Sequence, residues 1–189
     1  MENLNKSKRS TPIQKISALA ILSALSYLLM LFNFPILPSA AFLKFDFSDI
    51  PALVAAFAYG PLGGIAVEGI KNLLHFILNT QTGGVGELSN FIIGTFMAGT
   101  AGTFFMLRRT RLFAILGMAA GTLLMAGGGF FTNLFIMFPL FHIPETQRMG
   151  LALGSVVPFN LIKGAAISLV VALSYKYILI LLRAAKLRN

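Results

Sequence analysis

Apolar residues run along this chain in long blocks, separated by short polar or Pro/Gly-rich stretches, and the block lengths set the elements. The first block predicts a helix over about Ile16–Phe34, broken by Pro35 and Pro38. A loop, Ile36–Ser48, follows. A short second span is predicted at Asp49–Tyr59, and Gly60, Pro61, Gly63 and Gly64 make a tight turn. The third span runs over Gly64–Asn79, the polar stretch Thr80–Glu87 comes next, and the fourth span covers Leu88–Leu107. After a connection at Arg108–Arg111, the fifth span is predicted at Phe113–Phe138, with Pro139 near its end. His142–Leu151 reads as a loop. The sixth span is predicted at Pro158–Tyr177, with Pro158 in the first turn, where its missing N–H costs nothing. A bilayer crossing takes ~20 helical residues. The second span is the exception: at ~1.5 Å per residue it reaches roughly half a bilayer. It either begins earlier, within Phe45–Ser48, or shares a broken segment with the third.

Composition agrees with this pattern. The chain has 189 residues, 57% hydrophobic and 11% charged, with a mean hydropathy of +0.82. Soluble domains carry about 25% charge. The expected fold is therefore an all-α integral membrane protein, a six-helix bundle forming one domain over 1–189 in the lipid bilayer.

The net charge of +9 could point to nucleic acid, but the placement of the basic residues argues against it. Lys6, Lys8, Arg9 and Lys15 precede the first block; Arg108, Arg109 and Arg111 fill one short connection; Lys176, Arg183, Lys186 and Arg188 close the chain. This is the cytoplasmic excess that orients membrane proteins, and no nucleic-acid partner is expected. Both termini, 1–15 and 183–189, are thus expected to be cytoplasmic, which requires an even number of spans. The opposite connections carry Lys44 and Arg148 against Asp46, Asp49, Glu87 and Glu145. The basic start, the apolar run and the small residues Ser39, Ala40 and Ala41 resemble a signal peptide. The run is long enough to span and other spans follow, so it is read as the first helix.

Ionisable residues inside spans are expensive and mark functional sites by default. Glu68 and Lys71 lie three apart in the third span, towards the inner side, and read as an ion pair or a contact with another helix. Asn79, Glu87 and Asn90 lie at the outer ends of the third and fourth spans, Asn133 in the outer part of the fifth, and Asn160 and Lys163 in the first two turns of the sixth. These polar groups converge beneath loop 36–48, predicting an outward-opening pocket under an extracellular capping loop. With 18 Phe and no Trp, the apolar walls are expected to be Phe-rich. Asn amides both donate and accept hydrogen bonds, and lysine donates, so the pocket suits a flat, partly polar small molecule.

Small residues four apart, Ala20/Ala24, Ala98/Gly102 and Gly117/Gly121, let helix backbones approach closely. Gly127, Gly128 and Gly129 invite a bend or contact with a flat ligand. With no cysteine and only His75 and His142, far apart in sequence, no metal site is expected. No nucleophile with an oriented base is evident, so no catalytic residue is assigned and no enzyme is expected. No phosphate-binding P-loop is present either, so uphill transport would need an ion gradient or partner subunits.

Three segments, Leu43–Pro51 (LKFDFSDIP), Tyr59–Gly64 (YGPLGG) and Glu68–Asn72 (EGIKN), resemble the substrate-binding S components of energy-coupling factor (ECF) vitamin transporters. Gly86–Phe91 (GELSNF) and Pro158–Lys163 (PFNLIK) narrow the resemblance to the riboflavin-specific type, with matching order and spacing over residues 16–180. The resemblance implies high-affinity riboflavin binding and uptake at a bacterial cytoplasmic membrane. Riboflavin is then a transported substrate, and no cofactor is implied. The partners implied are a transmembrane coupling subunit and two ABC ATPases. Ala20 and Ala24 (AILSA) match the family's docking motif. Leu43, Lys44, Phe45 and Asp46 would line the loop side of the site and Asn133, Asn160 and Lys163 the helix side, with Glu87 and Asn90 as further candidates. The alternatives are the same scaffold carrying thiamine, biotin or a flavin nucleotide, or a small intramembrane enzyme or channel.

Overall fold

The computed structural model describes residues 12–178 and 180. The basic tail 183–189 and most of the basic N-terminal stretch lie outside the described residues. Among the described residues, six helices form the bundle. They are α1 (Pro12–Leu31), α2 (Asp49–Tyr59), α3 (Pro61–Asn79), α4 (Val85–Leu107), α5 (Arg111–Leu140) and α6 (Glu145–Leu173). Between α1 and α2, a two-stranded antiparallel ribbon pairs β1 (Phe34–Pro35) with β2 (Lys44–Phe45), with Phe34 opposite Phe45. The ribbon and a turn at Pro38–Ala40 make a cap over one end of the bundle.

Local chemistry explains the boundaries. Gly60 ends α2 with φ +87°, a conformation side chains rarely adopt, and its N–H bonds the Ala56 carbonyl at 3.0 Å. Pro61 then starts α3 in the first turn, where its missing donor is harmless. Thr110 caps α5 by accepting from the Phe113 N–H at 3.3 Å.

The two longest helices carry proline inside them. In α5 the segment Asn133–Met137 widens to a π-turn before Pro139, and in α6 Ala152–Val156 does so before Pro158. A proline clashes with the carbonyl four residues earlier. Those carbonyls, of Phe135 and Gly154, both lie in the widened turns, where bonds run five residues: Phe138 N–H to the Asn133 carbonyl, and Val157 N–H to the Ala152 carbonyl. This corrects the expected sixth span. Pro158 is not its start, and His142–Leu151 is not a loop throughout, because α6 begins at Glu145 and passes through the proline.

α1, α4, α5 and α6 are each long and apolar enough to cross a bilayer. α2 begins at Asp49 and keeps its 11 residues. It is sheltered within the bundle, with Ala52, Leu53, Ala55 and Ala56 all at 0% exposure. Glu68, Lys71, Asn72 and His75 dilute the apolar character of α3. The central packing is α4 along α5, with α6 on α5 and α3 on α4, while α1 lies against α2 and α3. Close approach relies on small residues: a Cβ on Gly117 would sit 3.0 Å from the Ala101 Cα, and one on Gly121 2.9 Å from the Met97 carbonyl. The polarity is inverted relative to a soluble protein. Leu123, Phe131, Phe135 and Leu169 are exposed while Lys71 and Glu68 are wholly buried, as expected where the surrounding solvent is hydrocarbon.

Candidate functional site

Beneath the cap lies a cavity of about 160 Å³, well beyond a single water's share of roughly 30 Å³. The end of α1 supplies Met30 and Asn33, and the cap supplies Phe42, Leu43, Lys44 and Asp46. α3 contributes His75, and the turn into α4 contributes Gln81 and Thr82. α4 adds Glu87, Ser89, Asn90 and Ile93; α5 adds Met125, Asn133 and Met137, with Phe141 just beyond; α6 adds Phe159, Asn160 and Lys163. A larger concavity, about 600 Å³, lies between α3 and α4. Its lining is nearly all apolar, so it lacks the convergent polar groups that orient a ligand.

Leu43, Lys44, Asp46, Glu87, Asn90, Asn133, Asn160 and Lys163 therefore meet at one cavity, although residues 43 and 163 are far apart in the chain. Phe45 does not line it. Side chains alternate along an extended strand, so Lys44 and Asp46 face the cavity while Phe45 turns away to pack on Phe34 and Phe47. Asn79, the last residue of α3, is exposed; His75, one turn earlier, lines the wall in its place. The apolar walls are not dominated by phenylalanine: Met30, Met125 and Met137 share them with Phe42, Phe141 and Phe159. Methionine's flexible thioether suits an adaptable wall.

The glycine triplet does not line the cavity, and α5 continues through it as regular α-helix. A Cβ on Gly128 would sit 2.5 Å from the Phe96 ring and one on Gly129 2.5 Å from the Asn160 Nδ2. Gly129 thus seats Asn160. Both site asparagines sit at the widened turns: Asn133 opens one, and Asn160 follows the other. Asn133 Nδ2 donates to the Gly129 carbonyl and Asn160 Nδ2 to the Val156 carbonyl, each at 2.9 Å. These bonds fix the amides and leave their oxygens available to a ligand.

Lys163 is 2% exposed and is not turned out to the surface. It donates to Asp46 Oδ2 at 3.1 Å and lies 3.3 Å from Asp49 Oδ2. Lys71 pairs with Asp49 and, at 2.8 Å, with Glu68, and donates to the Ser48 hydroxyl at 2.8 Å. The Glu68–Lys71 ion pair expected from sequence is present, but it is not a separate inner feature: through Asp49 it is continuous with Lys163 at the cavity wall. Sequence reasoning missed Ser48 and Asp49, which read only as the end of the loop and the start of the second span. It also missed a second cluster, in which His75 Nδ1 meets Glu87 Oε1 at 2.8 Å and the Thr82 hydroxyl donates to Glu87 Oε2 at 2.7 Å.

Residues 14–175 match the family described as ECF transporter, substrate-specific component. The chain belongs to this family. It is 38% identical over 176 residues to the riboflavin transporter FmnP of Bacillus subtilis, covering 86% of this chain and 90% of that one. It is 31% identical over 170 residues to the riboflavin transporter RibU of Staphylococcus aureus, covering 86% and 89%. Among solved structures it is similar to the S component of a bacterial ECF transporter, with a TM-score of 0.81 and 31% identity, covering 91% of this chain and 99% of that one. These relatives are transporters rather than enzymes.

Proposed function

We propose that this chain binds riboflavin at the capped cavity and delivers it across the bacterial cell membrane as the substrate-specific component of an ECF transporter. The observation that carries this reading is the similarity, over most of the chain, to riboflavin transporters in different bacteria. The cavity's chemistry supports it. Asn133, Asn160 and Lys163 supply donors and acceptors for the polar edge of an isoalloxazine ring. Met and Phe side chains supply its faces, and Asp46, Glu87 and Asn90 suit ribityl hydroxyls. Leu43 and Lys44 close the cap side.

Six spans, with α2 and α3 acting as two short crossings joined at Gly60–Pro61, put both basic termini on the cytoplasmic side and the cap of residues 36–48 outside. The positive connection at Arg108–Arg111 then falls inside. The chain acts without chemistry: it captures the vitamin outside, and a coupling subunit with two ABC ATPases drives its release inside. That drive requires a state in which the cavity binds more weakly. Ala20 and Ala24 suit the docking role because both are exposed on α1.

The vitamin assignment is tested by purifying the protein in detergent and recording its visible absorbance and its quenching of added riboflavin fluorescence. A yellow preparation releasing riboflavin on denaturation, or saturable quenching, is expected. A colourless protein without quenching would reopen the ligand. Ala20→Leu with Ala24→Leu should keep quenching and abolish uptake in cells; full uptake would overturn the docking role.

A further inference from the structure

The lower end of the cap is held by groups that do not touch the cavity. Ser48 is the last residue before α2 and is fully buried. Serine at that position ordinarily uses its hydroxyl to cap the helix, yet here it makes no side-chain cap. Its hydroxyl instead accepts from Lys71 at 2.8 Å, its carbonyl accepts from the Ser26 hydroxyl on α1, and its N–H donates to Asp46 Oδ1 at 2.8 Å. Lys71 also holds Asp49, whose other oxygen faces Lys163 at 3.3 Å. One lysine of α3 therefore fixes two consecutive residues. One of these holds Asp46, and the other shares Lys163 with Asp46.

We propose that Lys71 is a positioning residue for ligand binding, touching no ligand itself and acting through Ser48 and Asp49 to hold Asp46 and Lys163 at the cavity wall. This inference rests on the reading of the cavity as the riboflavin site. With Lys71 gone, Asp49 keeps, among the described residues, only Lys163 as a cationic partner and competes with Asp46 and the ligand for it. The Ser48 hydroxyl loses its donor at the same time. The cap's lower anchor then loosens while every cavity-lining residue remains.

A single Lys71→Met leaves three buried carboxylates, Asp46, Asp49 and Glu68, facing Lys163 alone, and is at risk of not folding. Lys71→Met with Glu68→Gln removes one charge of each sign, and Ser48→Ala removes only the hydroxyl. Riboflavin association and dissociation are followed by fluorescence quenching in stopped flow on the purified full chain, with Glu68→Gln alone as control. Dissociation should speed up about tenfold or more in the double variant and severalfold in Ser48→Ala, with association little changed. Glu68→Gln should match the wild type. A wild-type dissociation rate in both Ser48→Ala and the double variant, or an effect confined to the melting temperature, would overturn the positioning role. If the wild type itself does not quench riboflavin, it is the vitamin assignment that fails; unchanged variants beside a quenching wild type sink only the role of Lys71.

Discussion

The cap is attached to the bundle in two contrasting ways. At its lower end, Asp46, Ser48 and Asp49 are nearly or wholly buried and tied to Ser26, Lys71 and Lys163 on three different helices. At its upper edge, Lys44 reaches Gln81 on the turn before α4 at 2.5 Å, and both residues are exposed. Removing one member of a buried ionic group costs about 3–5 kcal/mol because its partners stay behind uncompensated. An exposed polar pair contributes about 1 kcal/mol or less, since water replaces either partner. The lower end is thus a fixed anchor and the upper edge a breakable latch. By these magnitudes the Lys44–Gln81 contact breaks far more readily than the buried ties at Ser48 and Asp49.

The sharpest way to break this contrast is at Lys163, which belongs to both anchor and cavity. Lys163→Met removes the proposed ligand donor and strands Asp46 in a buried site. Riboflavin affinity should fall about a hundredfold or more in a fluorescence titration. A change below about threefold would mean that the anchor and the binding wall are separate after all.

Much of the fold could be read from the sequence because hydropathy blocks report length directly. Asp49–Tyr59 was delimited correctly because a glycine at positive φ and a proline at a helix start are local signals. The start of α6 was hidden because Pro158 reads as a helix start, and nothing local announces that a widened turn at Ala152–Val156 will absorb it. Several residues that line the cavity were legible because Asn and Lys stand out against an apolar background. Phe45 was misplaced because membership in a motif does not say which way a strand residue points; two-residue alternation from Lys44 and Asp46 was the available signal. Ser48 and Asp49 were missed because their partners lie in α1, α3 and α6, and a pairing across such separations leaves no periodic trace.

A second, smaller effect sharpens the description of the anchor. Lys71→Met alone should lower the stability of the vitamin-free protein by about 3–5 kcal/mol, read as an earlier thermal transition in detergent. Adding Glu68→Gln should recover much of the loss, because Glu68 lies 2.8 Å from Lys71 and is left as an uncompensated buried carboxylate without it. If Glu68→Gln recovers nothing, the anchor depends on the Ser48 contact rather than on charge.

The smallest effect is expected at the latch. Gln81→Ala removes the acceptor for Lys44 and leaves both the cavity floor and the buried network untouched. Losing one exposed contact costs about 1 kcal/mol at most, so riboflavin should dissociate no more than about fivefold faster. Because water competes for both groups, the melting temperature should not move. Paired with Lys71→Met/Glu68→Gln, the two changes act on opposite ends of one loop. If the loop opens at the latch only while the anchor holds, weakening the anchor makes the latch matter less, and their effects on dissociation should be less than additive in free energy. Strict additivity would instead mean that the two ends move independently, and the cap would be a flexible cover rather than a hinged one.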